Sequence, residues 1–186
     1  MSWTIDNAHT TVGFAIKHLG LSTVRGRFTK FEGEVDVDPS DLTKATGTVK
    51  VDVASIDTGQ PDRDTHLRSA DFFEVEKYPT ITFKLKSVSG QGEDLKITGD
   101  LTIRDVTKEI VLDGEFAGEG TDPYGNRKIG GSLSGTISRA DFGLKWNVPA
   151  QAAGGLLVGD KVKLEIEGQL AESKAAVAEE AAAESR

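Results

Sequence analysis

Apolar and polar residues alternate with a period of two along most of the chain. In TTVGFAIKHL, Val12, Phe14 and Ile16 share one face while Thr11 and Lys17 take the other, the signature of a half-buried strand. The same alternation groups Val49, Val51 and Val53, then Ile81, Phe83 and Leu85, then Leu95, Ile97, Leu101 and Ile103 with Gly99 on the apolar face. It recurs in Ile110, Leu112 and Phe116, in Ile129, Leu133 and Ile137, and in Val162, Leu164 and Ile166. With the stretch from Val24 to Val37, this predicts eight strands. In that stretch Val24 and Phe28 share one parity whereas Phe31, Val35 and Val37 share the other, so a bulge is expected near Thr29 and Lys30. Short polar turns such as DPSDLTK, SGQGE and DPYGN join the strands. They argue for an all-β, antiparallel, up-and-down fold, and closure into a barrel would remove its unpaired edges. The glycines within strands (Gly99, Gly114, Gly131, Gly135, Gly168) fit sharp coiling or space left for something inside, with coiling the stronger reading.

Two connections are too long for turns. The first, from Asp57 to Pro79, contains DRDTHLRSADFFEVEKYP and predicts a short helix around residues 62–72 that Asp62 caps and that holds Leu67. The second, RADFGLKWNVPAQAAGGLLVG, is apolar but aperiodic, with Phe142, Leu144, Trp146, Leu156 and Leu157. Long connections in a small domain tend to carry function. The pattern divides the chain into a barrel over residues 1–170 and an Ala/Glu-rich tail over residues 171–186, read as a frayed helix or flexible segment.

Composition narrows the function classes. A chain of 186 residues suits one domain with a sizeable core. The lack of cysteine excludes disulfides, thiolate metal sites and cysteine nucleophiles. A net charge of -8 without a Lys/Arg cluster argues against nucleic acid and anionic membrane surfaces as partners. No run of apolar residues is long enough for a spanning helix, so stable membrane insertion is not expected. The N-terminus shows no basic segment followed by an apolar one, which predicts a cytoplasmic protein, or a periplasmic one if an exported leader has been removed.

The candidate chemistry is sparse. A metal site would need His9, His18 and His66 together, yet the first two fall on opposite faces of a regular strand, so no metal is expected. His9 suits a hydrogen bond at a strand start, and His18, in phase with Phe14 and Ile16, suits the inner rim of a barrel. In DTHLRSADFF, Asp64, His66 and Ser69 offer the residue types of a nucleophilic triad, but nearness in sequence is weak grounds for one. The plainer reading has Asp64, Arg68 and Ser69 satisfying backbone groups and one another around a helical turn. Phe72, Phe73 and Tyr78 are either a plug in an ordinary core or the wall of an opening, and physics alone slightly favours the plug.

Four stretches, WTIDNAHTTVGFAIKHLGLSTVRGRF, RDTHLRSADFFEVEKYPTITF, GDLTIRDVTKEIVL and RADFGL, resemble in order and spacing the YceI-like family of bacterial polyisoprenoid-binding proteins. The resemblance runs from Trp3 to Leu170. It implies a lipocalin-like, eight-stranded barrel that holds a long-chain isoprenoid lipid or quinone in an apolar tunnel, without catalytic residues or a cofactor. Phe14, Ile16, His18, Phe72, Phe73, Tyr78, Phe83, Phe142 and Trp146 then become tunnel residues, with small positions Gly13, Gly99 and Gly135 beside them. Arg63, Asp64, His66, Arg68 and Ser69 become the framework of the mouth, where His18, Arg63 and Arg68 are placed to meet a lipid head group. One departure is Asp105 in IRDVTKE, where the resemblance implies glycine. A homodimer is the protein assembly left open, and the rival function is an enzyme acting on such a lipid with His66 and Asp64, or His18, as general base.

Overall fold

Each alternating stretch becomes a strand, and all the strands pair antiparallel in one closed sheet. The structure, a computed structural model, describes residues 1–149, 156–174 and 181–183. The strands are β1 (Ser2–Ile5), β2 (Thr11–His18), β3 (Ser22–Phe28), β4 (Phe31–Asp38), β5 (Asp41–Asp52), β6 (Ile56–Asp57), β7 (Thr80–Gln91), β8 (Asp94–Ile103), β9 (Val106–Thr121), β10 (Arg127–Ser138) and β11 (Val158–Glu172). Helix α1 spans Pro61–Arg68. Although eleven strands can be distinguished among the described residues, the chain makes eight passes, because β1 with β2, β3 with β4, and β5 with β6 are broken passes. Closure comes from β11, which pairs with β10 on one side and with β2 and β1 on the other.

The three breaks are adjacent. A 3-10 turn at Asn7–His9 interrupts the first pass and another at Val53–Ser55 interrupts the third. Between them, the bulge expected near Thr29 and Lys30 is a full break in the ladder. Ser55 stitches it: its hydroxyl accepts from the amides of Thr29 and Lys30 at 3.1 and 3.0 Å. The change of parity from Phe28 to Phe31 keeps both rings facing inward, where they are buried in one cluster.

Helix α1 starts at Pro61, whose fixed φ suits the first helical position. Its N-cap is Gln60, without a side-chain cap bond, so Asp62 lies in the first turn and is not the cap expected. Pro79 precedes β7 as expected. In the two-residue turn between β8 and β9 the left-handed residue is Arg104 (φ 54°) and not Asp105, so position 105 has no need of glycine. The last strand continues through Ala171 and Glu172, two residues past the expected end of the barrel, pairing with Thr4 and Trp3. Residues 175–180 and 184–186 of the expected tail lie outside the described residues.

The inward glycines make room for large side chains on the neighbouring strands. A methyl group at Gly99 would overlap the ring of Phe83, and one at Gly26 would overlap the ring of Phe14. Large side chains therefore lie flat on the glycines of the neighbouring strand, which draws their bulk toward the wall and away from the axis. Gly13 has the parity opposite to Val12 and Phe14 and is paired with Glu165 and Arg27, so a side chain there would point outward, while its backbone borders the cavity.

Candidate functional site

The barrel is hollow. A cavity of about 640 Å³, within the usual range for small-molecule sites, runs along its interior between Phe14, Ile16, Phe83, Leu101, Ile110 and Leu164. At one end its wall reaches Val37, Leu42, Ala45 and Leu170. At the other, which carries α1, the 69–79 connection, the β2–β3 turn and the stretch after β10, the wall gains His18, Thr58, Arg63, His66, Arg139 and Trp146. Aliphatic and aromatic side chains along the shaft, with the basic side chains of Arg63 and Arg139 and the two imidazoles His18 and His66 at the α1 end, fit a long apolar molecule with a polar head.

The local fold positions the mouth. Asp64 is buried and accepts from the Thr58 amide at 3.0 Å and its hydroxyl at 2.5 Å, tying α1 to the chain that enters it. Arg63 donates to the Thr58 hydroxyl and carbonyl, both at 2.8 Å. Arg68 donates to the carbonyls of Ala54 and Ile56 at 2.9 and 3.0 Å, and the Ser69 hydroxyl donates to the His66 carbonyl at 2.6 Å. Asp64, Arg68 and Ser69 thus satisfy backbone groups, as the plainer reading held, but not one another: Asp64 and Arg68 bond to the chain before α1, and Ser69 to the last turn of the helix it caps. Neither Arg68, Asp64 nor Ser69 faces the cavity, and Arg68 has its guanidinium committed to carbonyls.

The triad geometry does not assemble. His66 Nε2 lies 2.8 Å from Asp71, not Asp64, and Ser69 turns to a carbonyl. Instead the imidazole is wedged edge-on between Phe72 and Trp146, with ring centroids 5.1 and 4.7 Å away, and the two flanking rings are 5.3 Å apart. His66 joins α1 to the stretch after β10 across the mouth. His9 bonds to Asp6 at 2.9 Å. Among the described residues no group of three or more His, Cys, Asp or Glu is placed to hold a metal.

Phe14, Ile16, His18, Phe72, Phe73, Phe83 and Trp146 lie on the cavity wall, but Tyr78 and Phe142 do not. Tyr78 stacks under the Arg104 guanidinium, 5.4 Å from its ring centroid, while Arg104 also bonds to Glu74 at 2.8 Å and so fastens the 69–79 connection to the β8–β9 turn. Phe142 is 2% exposed and packs behind the wall with Leu101, Ile103 and Leu144.

Sequence reading missed Arg139. It is 6% exposed and donates to the carbonyls of Leu144 (2.7 Å), Trp146 (2.9 Å), Gly159 (2.8 Å) and Val158 (3.4 Å). Burial pushes the guanidinium pKa below its ordinary value, and the nearby Asp160 opposes that shift. Four carbonyl dipoles therefore hold a buried cation, and in return the cation fixes the path of a stretch with no regular structure. The signal was present as the arginine of RADFGL, but nothing in that stretch announces its acceptors.

The YceI-like domain family matches residues 3–170. Protein YceI of Escherichia coli O17:K52:H18 is 41% identical over 140 residues, 75% of this chain and 73% of that protein. The crystal structure of the Campylobacter jejuni YceI protein is 38% identical and superposes with a TM-score of 0.73, covering 91% of this chain and 97% of that one. A polyisoprenoid-binding domain from Saccharophagus degradans, implicated in plant cell wall breakdown, shares the fold at a TM-score of 0.67 and 15% identity, over 92% of this chain and 98% of that one. The hollow barrel, its order of strands and these matches agree, and the chain belongs to the YceI-like family.

Proposed function

We propose that the protein is a non-enzymatic binder of a polyisoprenoid or similar long-chain lipid, an isoprenoid quinone or a prenyl precursor, which it stores or carries in the lumen. The observation that carries this reading is the cavity of about 640 Å³, walled along its shaft by aliphatic and aromatic side chains. The S. degradans domain, described as polyisoprenoid-binding, supports it through the shared fold. Burying one methylene contributes about 0.8 kcal/mol, so a five-carbon isoprene unit brings about 4 kcal/mol before ordering costs. Several units offset the roughly 4–15 kcal/mol cost of immobilisation and give micromolar or tighter binding. Apolar walls separate prenyl from fatty chains by only about 1–3 kcal/mol per misplaced group, so His18 and Arg63 supply further discrimination at the head group.

The test is native mass spectrometry of the purified protein together with a titration by geranylgeraniol, followed through tryptophan fluorescence. A retained or added lipid mass and saturable micromolar binding are expected. Absence of both, with nothing released by organic extraction, would sink the reading. Turnover of a candidate lipid that disappears in His66→Ala would move the protein to the enzymes.

A further inference from the structure

The two ends of the lumen are unlike, and the one remote from α1 is sealed. Trp3 has no exposed surface. Its Nε1 donates to the Val37 carbonyl at 2.9 Å, and Val37, Ala45, Ile129 and Leu170 pack around it. One inward position beyond Ile129 on β10, the Arg127 guanidinium covers the indole, 5.7 Å from the ring centroid. Arg127 is held there by Glu172 and Glu119 at 3.1 and 3.3 Å. The lumen wall includes Val37, Ala45, Ile129 and Leu170 but stops short of Trp3 itself.

A chain bound in such a blind pocket enters tail first and meets a fixed floor. We propose that the floor formed by Val37, Ala45, Ile129 and Leu170, held in place by Trp3 packed behind it, is the stop against which the end of the bound tail rests, so that the distance from mouth to floor sets the longest isoprenoid tail the lumen holds. This inference rests on the lumen-binding reading above. The depth follows from register: on β11, Val158 faces His18 at the mouth and Leu170 faces Ile5 beside the floor. Twelve residues separate these two positions, but between Val158 and Val162 four residues of β11 face two of β2, so ten residues measure the depth. At about 3.3 Å per residue and a strand tilt of about 40°, these span roughly 25 Å along the barrel axis. An extended chain advances about 1.2 Å per bond, as a polypeptide does, so an isoprene unit of four backbone bonds takes roughly 5 Å. The lumen therefore holds about five units. Ala45 deepens the floor by its small size: it is buried, lines the cavity and packs beside Trp3.

The experiment is a competition series of prenyl alcohols of two to nine units, delivered from cyclodextrin, with Trp146 fluorescence as the readout because it survives replacement of Trp3. For the natural chain, affinity should rise several-fold with each unit up to about five and then stay level. Trp3→Leu should carry the rise at least one unit further, and Ala45→Leu should end it at least one unit earlier. Affinity still climbing at nine units in the natural chain, or both variants sharing its limit, would overturn the proposal. If Trp3→Leu does not fold, Ala45→Leu alone decides, since a larger group there grows into the cavity. Failure of every alcohol to bind, whatever its length, would instead remove the lumen-binding reading on which this one stands.

Discussion

The sealed end and the mouth are built by different means. At the sealed end a fully buried indole is packed among aliphatic side chains, and short ion pairs lie outside it, such as Lys128 with Asp6 at 2.6 Å. At the mouth, side chains of Arg63, Arg68 and Arg139 bond mostly to backbone carbonyls of neighbouring segments. Apolar residues there remain in the open: Leu21 is 84% exposed and Leu156 60%. The Leu19 amide donates to the Leu157 carbonyl at 2.8 Å, so these two exposed tips belong to one rim. Burial area stabilises one end, whereas directional bonds to main chain shape the other. The difference teaches that rigidity and access have been allotted to opposite ends of one cylinder.

Substitutions that cross this divide should separate stability from binding. Trp3→Ala has the largest expected effect, a loss of about 3–5 kcal/mol in urea unfolding, because it empties the core of the sealed end. Arg139→Met should cost about 2–3 kcal/mol by leaving buried carbonyls unpaired, and it should also raise the solvent quenching of Trp146 by iodide, which no change at the sealed end should do. Asp6 comes next. The Lys128 ammonium holds its carboxyl at about 2, below the ordinary 3.8. Its contribution is therefore complete above pH 4 and is lost as pH falls through about 2, amounting to about 2 kcal/mol for such a shift. Urea midpoints from pH 5 down to pH 2 should fall more steeply in the natural chain than in Asp6→Asn. Smallest in stability is His66→Ala, at under about 1 kcal/mol for a partly exposed group, yet release of bound geranylgeraniol in stopped flow should quicken several-fold once α1 and Trp146 are uncoupled. A His66 variant that loses stability but releases lipid at the natural rate would erase the distinction between the two ends.

Strands were legible because side-chain parity is a local property: Leu95, Ile97, Gly99, Leu101 and Ile103 state their inner face without reference to any partner. The parity change between Phe28 and Phe31 likewise located the break, although only the folded chain shows Ser55 bridging it. By the same rule Gly13 has the parity opposite to Phe14, so it meets the lumen only as bare backbone. The site was less open to reading. Phe72 and Phe142 are the same residue type in irregular segments, and only packing decides that one lines the lumen while the other lies behind it. His66 was grouped with Asp64 on nearness, but the helix turns Asp64 toward Thr58 and leaves the imidazole to Asp71 beyond its C-terminus. Arg139 was illegible for a deeper reason, since its acceptors are carbonyls, which every residue carries and no sequence distinguishes.

The aligned interruptions of the first three passes bear on how such a barrel loads. Beyond the break, β3 is joined to its neighbour by two residue pairs only, Arg27 with Asp57 and Phe28 with Ile56, whereas β10 and β11 run together for eleven. A seam with so few rungs is the cheapest place for the wall to part. Parting there would widen the mouth beside α1, where a tail enters, while the eleven-pair ladder of β10 with β11 holds the cylinder in one piece.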